Sequence, residues 1–450
     1  MLNLGLPARR PWITNSALAL IGLALVLLCR QGVNEIHHFF IGFGLVAMYQ
    51  ALLYLVAVWV VLNHPMNRWT LLIIVVCAVA CRLVCLFSPP FLSTDVFRYV
   101  WDGRVQAAGI NPYRYIPADD HLAFLRDADI YPHINRRSYA HTIYPPGAQM
   151  LFLLITRIGE SVRWMKAGMV GLEALTIWAL VRLLHVLGLR REQVLIYAWH
   201  PLLLWEVASS GHVDGAALPF IVLALLFYAR HKPTATGMAL AAATLVKLYP
   251  IVLFPALYRR GWKMPVSLAV VVAAGYSCYL SVGRHVLGFL PDYAKEEGLE
   301  SGSRYFLLTL ARHGLHWEGL PTVAFYGFSA LLLAGLGLWA WLKSGTDALT
   351  AIRFSFAIAA ALMLLFSSHY PWYYLWLLPF VSVIPYVPMV YFITACFYLY
   401  TTQLANPGPA MYYMFEWLYA TTGLLALWCM GARPAPRKAF VTYYPSARNS

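Results

Sequence analysis

The chain has 450 residues, 61% of them hydrophobic and 12% charged, with a mean hydropathy of +0.63. Soluble domains carry about 45–50% apolar and about 25% charged residues, so the composition excludes a soluble globular protein. The net charge of +14 points to no nucleic-acid partner once its placement along the chain is considered.

A spanning helix takes roughly 20 apolar residues. On that measure the sequence predicts an all-α polytopic membrane protein with about 12 transmembrane helices. In chain order these are 13–29, 39–62, 70–87, 165–187, 193–209, 215–230, 264–282, 321–342, 350–367, 371–385, 386–403 and 412–430. The run after Leu6-Pro7-Ala8-Arg9-Arg10 has the outline of a signal peptide but no small-x-small cleavage site, and reads as an uncleaved first span. The seven cysteines, at 29, 77, 81, 85, 278, 396 and 429, lie in apolar segments and imply no disulfide framework. Cys77, Cys81 and Cys85 share one helix face and read as small packing residues. The stretch 234–258 has Arg230 and Lys232 before it and Arg259, Arg260 and Lys263 after it. A single crossing would put one basic cluster outside. It reads instead as a re-entrant hairpin bent near Lys247-Leu248-Tyr249-Pro250, a form tolerated only when buried in protein or lining a cavity. Neither a P-loop nor a dinucleotide glycine fingerprint is found.

With the N-terminus inside, the cytoplasmic segments hold 17 Lys and Arg against only Glu192 and Asp347, while the outer segments hold 14 basic and 14 acidic residues. Arg82, Lys247, Glu173, Glu206 and Glu416 fall within the apolar runs. The excess positive charge lies inside, as membrane topology favours, and both termini, with the tail 431–450, are expected in the cytoplasm. Two long loops, 88–164 and 283–320, face outward. The inner loops are short, so any chemistry is expected on the outer face.

The first outer loop carries the most distinctive pattern, Ser93-Thr94-Asp95 leading into Val96-Phe97-Arg98-Tyr99-Val100-Trp101-Asp102-Gly103-Arg104. Ser93 or Thr94 suits a helix cap, and Asp95 in the first turn is favoured by the helix dipole. Arg98 and Asp102 are i, i+4 partners, and Gly109 with Asn111-Pro112 ends the segment. This predicts an amphipathic helix of about fifteen residues on the outer membrane surface, with Asp95 where its span leaves the bilayer. Tyr144-Pro145-Pro146 opens a second, half-buried helix. Glu206, His212, Asp214 and His369 with Tyr370 are expected at the same outer rim, where ionisable groups are functional hypotheses by default. Asp127-Ala128-Asp129 and Asp119-Asp120 match a loose metal pattern in an acid-rich loop, and no metal or other cofactor is expected.

The segment Thr94 to Tyr113, the Tyr-Pro-Pro helix and Leu245-Val246-Lys247-Leu248-Tyr249-Pro250 resemble multi-spanning glycosyltransferases of the GT-C superfamily. The likeness is greatest to glycosyltransferase family 87 and related polyprenol-phosphate-mannose mannosyltransferases. The resemblance implies a GT-C fold and an acid in the first outer loop that acts as general base, matching Asp95. It implies a second acid after a later span, matching Asp214. It also implies donors that are sugars on a polyprenyl monophosphate, used on the non-cytoplasmic side without a nucleotide, with inversion at the anomeric carbon. Relatives often carry aromatic-Asn-Gly residues in the second outer loop; here that loop reads Glu296-Glu297-Gly298-Leu299-Glu300, which leaves donor and acceptor choice open.

A hydroxyl acceptor must lose its proton as it attacks, which calls for a positioned carboxylate, and a leaving phosphate calls for fixed cations. Arg304, Lys247 and His369 are the candidate cations, and Arg98, Asp102, Arg104, Tyr144, Glu206, His212 and Tyr370 the further candidate binding residues. The expected partners are a polyprenyl-phosphate-linked donor of a hexose, mannose by expectation, a lipid or glycan acceptor, and the membrane lipids. The expected location is the cytoplasmic (inner) membrane with the active site facing the periplasm or outside. The alternative is a secondary transporter or lipid flippase, which internal repeats and midplane charges would favour.

Overall fold

Helices form all the regular structure among the described residues of the computed structural model, which are 11–35, 42–343, 345, 347–403 and 407–431. Arg9, Arg10 and the tail from 432 onward, on which the expected placement of the termini rests, lie outside the described residues. The first three helices are α1 (Pro11–Asn34), α2 (Gly44–Asn63) and α3 (Arg68–Leu86), with α1 packed on both others. A reciprocal cap starts α3: Asn67 Oδ1 accepts the Trp69 amide at 2.9 Å and Thr70 Oγ1 accepts the Asn67 amide at 3.1 Å. These bonds satisfy donors that a helix start otherwise leaves without partners.

Among the described residues, six helices are long and apolar enough to cross a bilayer: α1, α2, α3, α6 (Val162–Val186), Thr322–Leu342 and Ala348–Phe366. Two bent pairs bring the total to eight if each is one span, Pro201–Ser209 with Asp214–Ala229 (118°) and Lys263–Ser277 with Leu280–Glu296 (108°). The sequence count of about 12 treats each apolar run as one straight helix. The runs at 193–209, 371–385 and 386–403 are instead built from short helices, with Pro201, Pro371, Pro379 and Pro388 at their starts. Proline has no amide to donate and its ring obstructs the preceding turn, so it opens helices and breaks runs.

The chain also breaks at Lys247. The helix Pro233–Val246 has 14 residues, Lys247 is extended (φ −143°, ψ 143°), and short turns follow at Tyr249–Leu253 and Phe254–Leu257. Neither half is long enough to span alone. The first half packs between Asp214–Ala229 and Lys263–Ser277, so the break sits inside protein.

The helix opened by Asp95, α4 (Asp95–Ala107), has 13 residues and begins with Ser93 Oγ accepting the Asp95 amide at 3.2 Å. It differs from the expected surface helix: Val96 and all of 98–105 are buried. It is enclosed because its polar side chains find partners inside. Arg98 meets Asp102 at 2.8 Å, and Asp102 also accepts Thr142 Oγ1 at 2.6 Å and Gln149 Nε2 at 2.9 Å. The Tyr-Pro-Pro motif opens α5 (Pro146–Ile158), which packs along α4 with one side buried. The two outer loops dock on each other. Gly288 (φ +55°) lies so close to Thr142 that a Cβ there would come within 1.7 Å of its carbonyl oxygen, and the Phe289 amide donates to that oxygen at 3.3 Å.

One ion pair joins α3 to α6 in the apolar interior. Arg82 meets the two Glu173 oxygens at 2.6 and 3.0 Å and also donates to the Ala78 and Ala198 carbonyls at 3.1 and 2.8 Å. Removing one partner strands a buried charge. Glu173→Leu is expected to destabilise the protein by about 3–5 kcal/mol in detergent thermal unfolding, and the paired Arg82→Met, Glu173→Leu change to recover most of the loss.

Candidate functional site

Three interruptions of helical backbone bring four ionisable side chains into one line. Asp95 stands at the first turn of α4. His212 and Asp214 follow the turn at Gly211 (φ +72°), where the π-helical segment Leu204–Ser209 gives way to Asp214–Ala229. Lys247 stands at the break in the hairpin. His212 Nε2 lies 3.5 Å from Asp95 Oδ2, His212 Nδ1 lies 2.7 Å from Asp214 Oδ2, and Lys247 Nζ lies 3.0 Å from that same oxygen. The distances are those of ion pairs, although the histidine nitrogens are not aligned as hydrogen-bond donors. Trp376 Nε1 donates to the other Asp214 oxygen at 3.2 Å, and the Trp372 ring lies on the His212 ring at 4.4 Å. The side chains of His212 and Asp214 are 2% and 0% exposed, against 21% for Asp95. Buried charges persist only when paired, and here the signs alternate along the line.

Close backbone approach seats Lys247. A Cβ on Gly147, in the first turn of α5, would come within 2.9 Å of the Leu245 backbone. Glycine there lets the Tyr-Pro-Pro helix start press on the end of the hairpin helix. The Tyr144 and Tyr373 rings then face the Lys247 ammonium at 6.0 and 5.5 Å.

Asp95 opens on a cavity of about 300 Å³ whose wall also includes Arg98, Asn135, Arg136, Tyr144, Glu297 and Tyr370. Asn135 Nδ2 donates to Asp95 Oδ1 at 2.6 Å. Burial raises the Asp95 pKa, but the contacts with His212 and Asn135 and the charge of Lys247 outweigh it and hold the carboxyl below its usual range. The group is therefore ionised at neutral pH. Tyr370 and Trp372, stacked at 4.4 Å, form a flat apolar side of the cavity.

Glu297, also in this wall, is held between two cations. Arg304 pairs with one of its oxygens, Arg136 lies 3.5 Å from the other, and the Tyr370 hydroxyl donates to it at 3.5 Å. Arg136 also meets Glu296 at 2.7 Å and has φ +53°. Such left-handed backbone is uncommon outside glycine and gathers at functional sites. Two guanidinium groups thus converge on one carboxylate at the cavity wall.

The structure sorts the sequence candidates. Asp95, Arg98, Tyr144 and Tyr370 reach the cavity wall; His212, Asp214 and Lys247 stand behind Asp95. The Lys247 ammonium, expected as a candidate phosphate cation, is paired with Asp214 in this structure. Arg98 and Asp102 are engaged in the internal pairing that holds α4. Arg104 lies about 2.5 turns beyond Asp95, on the opposite side of α4, where Asp127 and Glu160 bind it at 2.5 and 2.6 Å. The second Asp127 oxygen accepts the Ile130 and Tyr131 amides, so its part in the Asp127-Ala128-Asp129 pattern is a loop support. Glu206 is fully buried, accepts the Tyr400 hydroxyl and sits outside the cavity wall. His369 lies against Phe415, with ring centroids 5.7 Å apart. Burial and the nearby Arg304 charge lower its pKa to about 3, so it is neutral at pH 7 and does not supply the expected cation. Asn135, Arg136, Glu297 and Trp372 were not singled out by the sequence. Trp372 stands in a recognisable aromatic crowd, whereas the others sit in irregular loops without a periodic signal.

Residues 17–260, more than half of the chain, match the model of the MptA_B family, described as alpha-(1->6)-mannopyranosyltransferase, N-terminal domain. No curated protein matches the chain at a significant level. The chain belongs to this GT-C family and is a membrane mannosyltransferase, with a sugar donor and an acceptor. That decides for the enzyme over the transporter.

Because the Arg104 cluster lies across α4 from the cavity, Arg104→Met is expected to lower stability by about 1–3 kcal/mol. Turnover per folded molecule and the donor KM are expected to stay unchanged, as measured on detergent-purified protein alongside thermal unfolding.

Proposed function

We propose that this mannosyltransferase takes mannose from a polyprenyl-phosphate-linked donor and transfers it to a hydroxyl of a lipid or glycan acceptor. The reaction takes place on the non-cytoplasmic face of the cytoplasmic membrane, with both termini in the cytoplasm. The family's description supports an α-(1→6) product. The observation that carries the mechanism is an ionised carboxylate, Asp95, opening from a buried line of charge onto a cavity edged by arginines.

In this reading the acceptor hydroxyl enters beside Asp95. As its oxygen bonds to the anomeric carbon, Asp95 takes the proton. The bond from that carbon to the phosphate oxygen breaks, and the electron pair leaves with polyprenyl phosphate. Attack opposite the leaving group inverts the centre, so a β-linked donor gives an α product. The stacked Tyr370 and Trp372 rings offer a face to the sugar. Arg136 and Arg304 receive the phosphate as Glu297 is displaced, supplying preorganised charge where negative charge develops. With these cations in place the reading calls for no metal or other cofactor. Asp214 and Lys247 act through Asp95 from behind.

Two outcomes test this. Asp95→Asn is expected to lower turnover with synthetic polyprenyl-phosphate mannose by about 10²–10⁴-fold while membrane insertion and unfolding temperature persist; full activity in the purified variant removes Asp95 as the base. Glu297→Gln is expected to make the product polyprenyl phosphate a stronger inhibitor, because the arginines lose an internal competitor. Unchanged inhibition places the phosphate elsewhere.

A further inference from the structure

His212 is sequestered in a way that side-chain packing alone does not require. Both ring nitrogens face carboxylates, Asp95 at 3.5 Å and Asp214 at 2.7 Å, and its ring is pressed on Trp372. Its amide donates to the Glu206 carbonyl at 2.8 Å, and the next amide, of Val213, donates to Tyr99 Oη on α4 at 3.4 Å. The main chain that carries the imidazole is thus pinned at two successive amides, and the ring itself lies between two carboxylates with Trp372 against it.

We propose that His212 is a positioning residue: it ties Asp95 to Asp214, fixes the direction in which the base presents its free lone pairs, and sets how readily that base takes a proton. This rests on the reading of Asp95 as the base and adds the group that governs it.

The charge balance supports the assignment. With His212 protonated, it and Lys247 offset Asp95 and Asp214. With His212 neutral, one negative charge is left over in a nearly closed space, where an uncompensated ion is expensive. Glu206, from the preceding turn, is the further carboxyl near this group; it is fully buried, takes the Tyr400 hydroxyl and has no cation paired with it among the described residues, so the balance counts it as the neutral acid. The other neighbours, Asn135, Trp372 and Tyr99, bring no formal charge at neutral pH. During transfer the acceptor's proton moves to Asp95, and His212 keeps its own. The line then carries one excess positive charge, which drives the new proton from Asp95 to water as the product leaves and restores the base.

The test is the pH dependence of kcat/KM for the purified full chain with synthetic polyprenyl-phosphate mannose. His212→Gln offers Asp95 an amide donor but no charge. An opposite charge at this range depresses a carboxyl pKa by about 1–3 units. Its loss is therefore expected to move the acid limb of the profile to higher pH by that amount and to lower kcat, with the donor KM unchanged. An acid limb that stays in place, with Asp95→Asn inactive, overturns the role of His212 and leaves the base assignment standing. An active Asp95→Asn overturns the base assignment itself. Should His212→Gln fail to fold, ¹⁵N magic-angle-spinning spectra of the wild-type protein decide. One histidine is expected to keep an imidazolium signal well above the ordinary histidine range, and neutral signals from every histidine there overturn the proposal.

Discussion

A carboxylate inside a protein stays ionised only where something nearby answers its charge, yet a base that is fully paired cannot accept a proton. For the proposed base, Asp95, the line through His212 and Asp214 to Lys247 meets both demands. Its inner members neutralise one another in a closed space, while Asp95 keeps part of its surface toward the cavity. The four members come from three segments, and each sits where a helix starts, turns or stops. The π-helical turn before Gly211, the break at Lys247 and the first turn of α4 are therefore parts of one arrangement. Local geometry of this kind recurs at functional sites.

The surrounding fold serves that line. Gly147 allows α5 to press on the hairpin end that carries Lys247, and the Asp102 cluster holds α4 so that Asp95 keeps its direction. The outer loops close the cavity from the other side through Arg136, Glu296, Glu297 and Arg304. The two charge systems differ in kind. The line behind Asp95 is deeply buried, and its charges are paired within the protein. The Arg136–Glu297 pair lies at the cavity wall, where the proposed donor phosphate would replace a side-chain carboxylate.

Much of this was legible in the sequence. Composition gave the helical membrane class, and Asp95 stood out because a helix cap, a first-turn acid and an amphipathic pattern coincide there. The break at Lys247 followed from basic residues at both ends of an apolar run. Other features were hidden for physical reasons. Helical periodicity shows that α4 has a polar side but not that Thr142 and Gln149 will satisfy it, so the helix read as a surface element. Apolar runs containing Pro201, Pro371 and Pro388 meet a hydropathy criterion that takes no account of backbone breaks. Asn135 and Glu297 reach the cavity through long-range loop docking, for which one sequence holds no local signal. His369 carries a residue type a phosphate site can use, but burial and the nearby Arg304 charge keep it neutral.

The most direct test is a structure of the enzyme with a non-transferable polyprenyl-phosphonate mannose analogue and acceptor. The account predicts the phosphonate between Arg136 and Arg304 with Glu297 turned away, and the acceptor oxygen between the anomeric carbon and Asp95. A sugar bound outside this cavity, with Asp95 remote from the acceptor hydroxyl, would contradict it.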